Sequence, residues 1–349
     1  MVLGIQHMYC PAQKHLSDGQ SLNLLQVQNT QDVQEVLPAI VTATEEPPQS
    51  QELIQNTKDA LQQHFKIEDL GELRYFLGIE LARNKIGIVM HQRKYALELI
   101  SDMGLAGSKT LGAPIELNLK LTYAEYDQHL GQLADCLMPD PSCYHRLIGR
   151  LFYLTITLPD IAFVVQCLGQ FMQAPKVSHM EAARKVVRYV IQELGLGIFL
   201  SATGSDKLIA YCDADWVSCP NTMRSVTGYI VKFGDSLISW KSKKQTTISR
   251  SSAEAEYMSL ASTMAEVIRI IGLFKELSID LQLPVSLFCD SKSAIQIAAN
   301  HEKVQQGLVA TLYLSSAKQQ ADMLNKSLTK AQYSYLVSKL GMKSSFLMA

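Results

Sequence analysis

Apolar and polar positions along this chain of 349 residues follow two rhythms, and each predicts a different kind of element. From Glu52, "ELIQNTKDALQQHFKI" places Leu53, Ile54, Ala60, Leu61 and Phe65 at helical spacing, which predicts an amphipathic helix. "LRYFLGIELARNKIGIVMHQRKYALELI" predicts a hairpin and then a helix. Its strands fall at about 75–81 and 86–91, with the turn at Asn84 and Lys85. The polar tract "EYDQHLGQLADCLMPDPS" predicts a loop. Helical periodicity returns over 144–157, 159–172 and 178–194, and Pro159 suits a first helical turn.

A second unit opens near Lys207. "KLIAYCDADWV" alternates as a strand, and two more strands flank a turn at Gly234 and Asp235. A long helix follows over 252–277, then a strand in "VSLFCDS" and a helix over 291–300. "GLVATLYLSS" gives a fifth strand, and 319–340 the last helix. This order predicts an α/β fold, a mixed five-stranded sheet with flanking helices. Residues 1–50 carry little periodicity, and "TATEEPPQSQ" has linker composition, so a poorly ordered leader is expected there.

Composition narrows the class. The chain is 47% hydrophobic and 19% charged, as in a globular protein, and its net charge of -1 gives no global field for a polyanion. Seven cysteines without a CxxC pair predict a reduced, intracellular protein, not a disulfide scaffold or a zinc site. No uninterrupted apolar run reaches the roughly 18 residues of a membrane span, and the N-terminus is too weakly apolar for a secretory signal. Neither a membrane nor a small-molecule cofactor is expected.

Carboxylates in apolar settings carry the chemistry. Asp213 and Asp215 share one face of their strand. Glu256 borders the apolar stripe of the long helix, where a carboxylate needs a partner, whereas Glu254 has a simpler task in a capping box with Ser251. Asp290 ends the apolar strand "VSLFCD"; capping the next helix is its alternative role. Asp322 lies early in the last helix, where the helix dipole alone would favour it. Carboxylates converging from these elements would raise one another's pKa and need a cation. Oxygen ligands favour Mg²⁺ or Mn²⁺, and two such ions about 4 Å apart would clamp a phosphodiester and activate water. The stretch "WKSKKQTTISR" adds Lys241, Lys243, Lys244 and Arg250 as a local anion-binding patch, with a solvated hairpin face as the plainer alternative.

Those residues resemble a known family. "YCDADW", "RSVTGYIV", "LISWKSKKQTTISRSSAEAEYMSLA" and "LFCDSKSAIQIAAN", within 208–342, resemble the ribonuclease H domain of plant copia-type LTR retrotransposon Pol polyproteins. "DLGELRYFLGIEL", "YHRLIGRLFYLTITLPDIAF" and "QFMQAPKVSHMEAARKVVRYV" resemble the C-terminal, palm and thumb-like part of the preceding reverse transcriptase domain. The resemblance divides the chain into a leader over 1–50, a truncated reverse transcriptase region over 51–200 and a ribonuclease H-like domain over 207–342. It implies cleavage of the RNA strand of RNA–DNA hybrids by two metal ions held by Asp213, Glu256, Asp290 and Asp322. Asp215 falls outside that set.

Two departures qualify what the resemblance implies. No "DD" pair of the kind a polymerase palm needs occurs in the sequence, and the fingers and most of the palm are expected to be missing. Polymerase activity is therefore not expected. Also, "AAN" runs almost directly into "HEKVQQG", where the family has a longer His-rich segment. That deletion near residue 300 predicts uncovered apolar sheet surface, at a cost of several kcal/mol. The alternative to a working nuclease is a catalytically inactive remnant that binds nucleic acid weakly.

Overall fold

The computed structural model describes residues 71–117, 119, 121–129, 131 and 135–348, with 55, 56, 58, 59 and 61–65 before them. The leader expected over 1–50 lies outside the described residues. Of the helix expected from Glu52, residues 55, 56, 58, 59 and 61–64 are helical. The chain divides into two compact units, Met1–Leu73 and Arg74–Ala349.

The second unit contains two sheets. Its elements in chain order begin with β1 (Tyr75–Phe76), β2 (Ile79–Asn84), β3 (Gly87–His91), α1 (Arg93–Asp102), α2 (Ala124–His129), α3 (Ser142–Leu154), α4 (Ala162–Leu168), α5 (Val177–Gln192) and β4 (Leu196–Ser201). They continue with β5 (Leu208–Asp215), β6 (Val226–Phe233), β7 (Ser236–Lys244), α6 (Ser252–Glu276), β8 (Val285–Cys289), α7 (Lys292–Ala298), α8 (Glu302–Gln305), β9 (Val309–Tyr313), α9 (Lys330–Lys339) and β10 (Met342–Ser344). The first sheet has the order β1-β2-β3-β4-β10 and the second β7-β6-β5-β8-β9. In the second, β5, β6 and β7 pair antiparallel, whereas β5, β8 and β9 run parallel. This is the mixed five-stranded, ribonuclease H-like sheet expected from the sequence.

Periodicity explains the main helices. In α3, Tyr144, Leu147, Ile148, Leu151 and Leu154 are buried at spacings of three and four residues. In α6, Leu260, Met264, Val267 and Ile270 face the second sheet. The Ser251 hydroxyl accepts the Glu254 amide at 3.2 Å and caps α6, but the Glu254 carboxylate accepts the Arg250 amide instead of closing the box on Ser251. By length and hydropathy α6 alone among the described helices could cross a membrane. Here eight of its side chains are buried, as in the core helix of a globular fold.

Four local expectations are corrected. The first hairpin strand is interrupted at Leu77 and Gly78, both at positive φ, and then runs on to Asn84. The polar tract after residue 124 contains α2, because the buried Lys176 ammonium ion-pairs with Asp127 and, at 3.1 Å, with Asp135. Strands β4 and β10 were not expected. The last helix is broken: a short 3-10 segment, Gln320–Leu324, precedes α9, whose cap is the Thr329 hydroxyl.

The crossover near 300, where the sequence predicts a deletion, returns to the sheet. α7 and α8 connect β8 to β9, which pair along five residues. Ala294 and Ala298 pack into the second core, and exposed apolar surface gathers at Leu312 and Tyr313 at the end of β9. His301 caps α8, its Nδ1 accepting the Lys303 amide at 3.2 Å.

The larger core ignores the border between the two sheets. Leu147, Ile148, Leu151, Val164 and Val165 form one cluster with Ile230, Leu237, Met323, Leu324, Leu336 and Leu340. A buried polar knot lies in it. Asp160 accepts a hydrogen bond from the Tyr189 hydroxyl and another, at 3.3 Å, from Tyr333 of α9. Burial pushes the Asp160 carboxyl up to about 6. A raised carboxyl stabilises the fold fully below its unfolded value of 3.8, and that contribution is lost as pH rises through about 6. Asp160→Asn keeps an acceptor for both phenols and cannot ionise. We expect thermal melts to show a decline in wild-type stability of about 3 kcal/mol over this window, and a flat profile for the variant. Parallel profiles would refute the assignment.

Candidate metal centre

The site is built where β5 and β8 end side by side. Asp213 is fully buried on β5. Its backbone carbonyl accepts the Ser259 hydroxyl of α6 at 2.8 Å, which fixes the strand to the helix. On the opposite face lies the 3-10 segment, tied to β5 by the Gln319 side-chain amide donating to the Cys212 carbonyl at 3.0 Å. Gly228, paired with Asp213 across β5 and β6, makes this closure possible. A Cβ there would stand 2.7 Å from the Ala321 carbonyl oxygen.

All four carboxylates singled out in the sequence meet here. Asp213 Oδ2 accepts from Asn325 Nδ2 at 2.7 Å and from Lys326 Nζ at 2.8 Å. Asp213 Oδ1 is buried and accepts no hydrogen bond. Lys326 Nζ also reaches Asp322 at 3.0 Å, so one ammonium bridges two carboxylates. Glu256 projects from α6 and is 8% exposed. Asp290 is free of the capping task, because Ser291 caps α7 instead. Its Oδ2 accepts the Ser316 hydroxyl at 2.7 Å. Asp215, one turn of the pleat beyond Asp213, sits half-buried at the edge.

Electrostatics mark this as a crowded anionic pocket. Burial, then the charges of Asp213, Cys289 and Asp290, push Glu256 up to about 10. Burial and Asp213 push Asp322 up to about 7, against the pull of Lys326. Asp290 is raised by burial and by Asp213. Burial alone would weaken the charge on Lys326, but Asp213 and Asp322 raise its pKa above the ordinary lysine value. A buried cluster of acids with one orphaned oxygen and one ammonium fits a divalent cation: its donors are hard oxygens, and more positive charge would favour the ionised forms of Glu256, Asp290 and Asp322.

Two neighbours were not singled out in the sequence. Lys326 reads there as a surface lysine of a continuous helix, and only the break after Leu324 turns it inward. Cys289, one residue before Asp290, brings its thiol to 3.9 Å from Glu256 Oε2.

The basic stretch is divided by the pleat. Lys241 and Lys243 lie exposed on the α6 face of β7, and Arg250 is exposed beyond it. Lys244 is on the other face and donates to the Gln170 side chain at 2.7 Å. Trp216 is nearly half exposed beside them, its indole nitrogen donating to the Ser249 carbonyl at 3.1 Å.

Fold and site together define a class: an α/β protein whose ribonuclease H-like sheet carries a buried carboxylate cluster. Residues 47–117 match the family profile of reverse transcriptase (RNA-dependent DNA polymerase). Over 306 residues the chain is 35% identical to the retrovirus-related Pol polyprotein from transposon RE1 of Arabidopsis thaliana, covering 83% of this chain. Over 313 residues it is 28% identical to the Pol polyprotein from transposon TNT 1-94 of Nicotiana tabacum, covering 84% of this chain. The chain spans 20% and 23% of the length of those two relatives. A solved N-terminal RNase H domain from Mycobacterium tuberculosis, a fusion with maltose binding protein, is similar at 13% identity. It covers 38% of this chain and 98% of that one, with a TM-score of 0.25, too low to add weight. Over most of its length the chain is thus related to plant retrotransposon Pol polyproteins.

Proposed function

We propose that this chain, from a copia-type element, is a metal-dependent endonuclease of the ribonuclease H type, acting on the RNA strand of RNA–DNA hybrids. The observation that carries the reading is the cluster of Asp213, Glu256, Asp290 and Asp322, in which Asp213 raises the pKa of the other three carboxyls and keeps one buried oxygen unpartnered. These four residues would hold Mg²⁺ or Mn²⁺, which when bound neutralises the carboxylates, polarises the phosphodiester and acidifies the attacking water. Asn325 and Ser316 orient Asp213 and Asp290 by hydrogen bonds. Glu256, kept protonated at neutral pH without extra positive charge, ionises to become a ligand. Lys241, Lys243 and Arg250 are free to meet phosphates of a duplex recognised by its shape, whereas Lys244 is already engaged.

By ancestry we divide the chain at the borders the resemblance gives, with 51–200 from the reverse transcriptase and 207–342 from the ribonuclease H. Polymerase activity is no part of this reading, since the sequence contains no adjacent aspartate pair. An intracellular setting is proposed with it and suits the six free thiols of the described residues.

The test is incubation of the full chain with a labelled RNA–DNA hybrid and Mg²⁺ or Mn²⁺, beside Asp213→Asn. We expect cleavage by the parent and at least roughly a hundredfold loss in the variant. No cleavage from a cooperatively folded parent would instead support the inactive remnant, and equal cleavage by both would remove Asp213 from the chemistry.

A further inference from the structure

The carboxylate cluster contains a sulfur that hydrolysis does not need. Cys289 ends β8, and its alternation on the strand turns the thiol toward α6, where Glu256 stands. The ligand atoms of Glu256, Cys289 and Asp290 all lie within 4.8 Å of one another. Two further observations point to a ligand at this place. Glu256 is more than nine-tenths buried, and the neighbouring Asp213, whose charge acts on both Glu256 and Asp290, is fully buried with an Oδ1 that has no hydrogen-bond partner. The Ser291 amide also points at the Cys289 sulfur, 3.4 Å away, as a donor that favours a thiolate.

We infer that Glu256, Cys289 and Asp290 form a mixed sulfur–oxygen site for a thiophilic divalent ion of the zinc group, Zn²⁺ or Cd²⁺. Bond lengths support this. A zinc ion binds thiolate at about 2.3 Å and carboxylate oxygen at about 2.0–2.2 Å, and in a tetrahedron those ligands stand about 3.5 Å apart. The observed 3.9 Å between sulfur and Glu256 Oε2 needs only a small contraction. On binding, the metal–sulfur bond forms as the thiol proton leaves to solvent, and no oxidant or reductant takes part. A hard ion such as Mg²⁺ gains nothing from the sulfur, so the thiol discriminates between the two metal classes. This binding goes beyond hybrid cleavage and does not depend on it. Where both hold, the thiophilic ion excludes the hard one and acts as an inhibitor.

The experiment is titration of the full chain with Cd²⁺, following the ultraviolet thiolate-to-cadmium charge-transfer band. The parent is compared with Cys289→Ala and Glu256→Gln. We expect one equivalent of cadmium in the parent, loss of that band in Cys289→Ala, and at least tenfold weaker binding in Glu256→Gln. An undiminished band in Cys289→Ala would assign the metal to another cysteine, such as the exposed Cys136 or Cys143, and overturn the inference. Cadmium-113 resonance on the parent supplies a readout free of variants. A position typical of one sulfur among oxygens is expected, and a sulfur-rich or purely oxygen position overturns it. Because the readout is binding, its failure stands apart from any failure of cleavage.

Discussion

Residues 207–349, produced alone, will melt without a cooperative transition and will bind hydrophobic dyes, although they contain the whole second sheet. The cause is the shared core. Ile230, Leu237, Met323, Leu324, Leu328, Leu336 and Leu340 pack in one cluster with α3, α4 and α5. Uncovering about half of the surface of seven such side chains costs roughly 5–10 kcal/mol, as much as the entire stability of an ordinary domain. Polar ties are lost as well. Tyr333 loses Asp160, Lys244 loses Gln170, and Asn221 loses the Tyr123 amide that it accepts at 3.0 Å. The comparison is a circular-dichroism melt of 207–349 against 74–349. A sharp transition from the shorter fragment, at the temperature of the longer one, would disprove the shared-core account.

Lys326→Met will produce the second large effect, and only when metal is absent. The ammonium bridges a fully buried Asp213 and a buried Asp322, so its removal leaves two acids without a cation. Breaking a buried pair from one side typically costs 3–5 kcal/mol. Lys326 keeps 30% of its side chain in solvent, which argues for the lower end, about 3 kcal/mol. In EDTA the variant should therefore melt several degrees below the parent. Mn²⁺ should restore more stability to the variant than it adds to the parent, because in the parent the ion competes with the ammonium. Equal melting temperatures in EDTA would mean that Lys326 is a bystander.

How legible this was in the sequence varied with the kind of signal. Strands β5 to β9 and helix α6 follow from alternation and helical period, because each packs one face against a core. Strand β10 is only "MKS", too short to carry a period, and exists because β4 offers an edge. Strand β4, "LGIFLS", is a short apolar run that closely follows a helix and merges with its end. Helix α2 depends on the buried charge of Lys176, about fifty residues away, and composition does not register such a pairing. At the site, Asp213, Glu256 and Asp290 are visible as carboxylates among apolar neighbours. Cys289 and Lys326 are invisible, since one passes for an ordinary strand residue and the other for a solvated helical lysine. Their places depend on a strand end and a helix break that only tertiary packing decides.

The register of β10 against β4 bears on how the chain is made. Met342 pairs with Ile198, and Ser344 with Leu196, so the first sheet receives its last strand from the final residues described. On the ribosome, β1 to β4 emerge long before that strand exists. During synthesis the nascent chain therefore presents an open β4 edge and a half-assembled core, and its first sheet is completed only after the whole second sheet has emerged. Holdase chaperones that recognise exposed strands would meet this chain early and release it late.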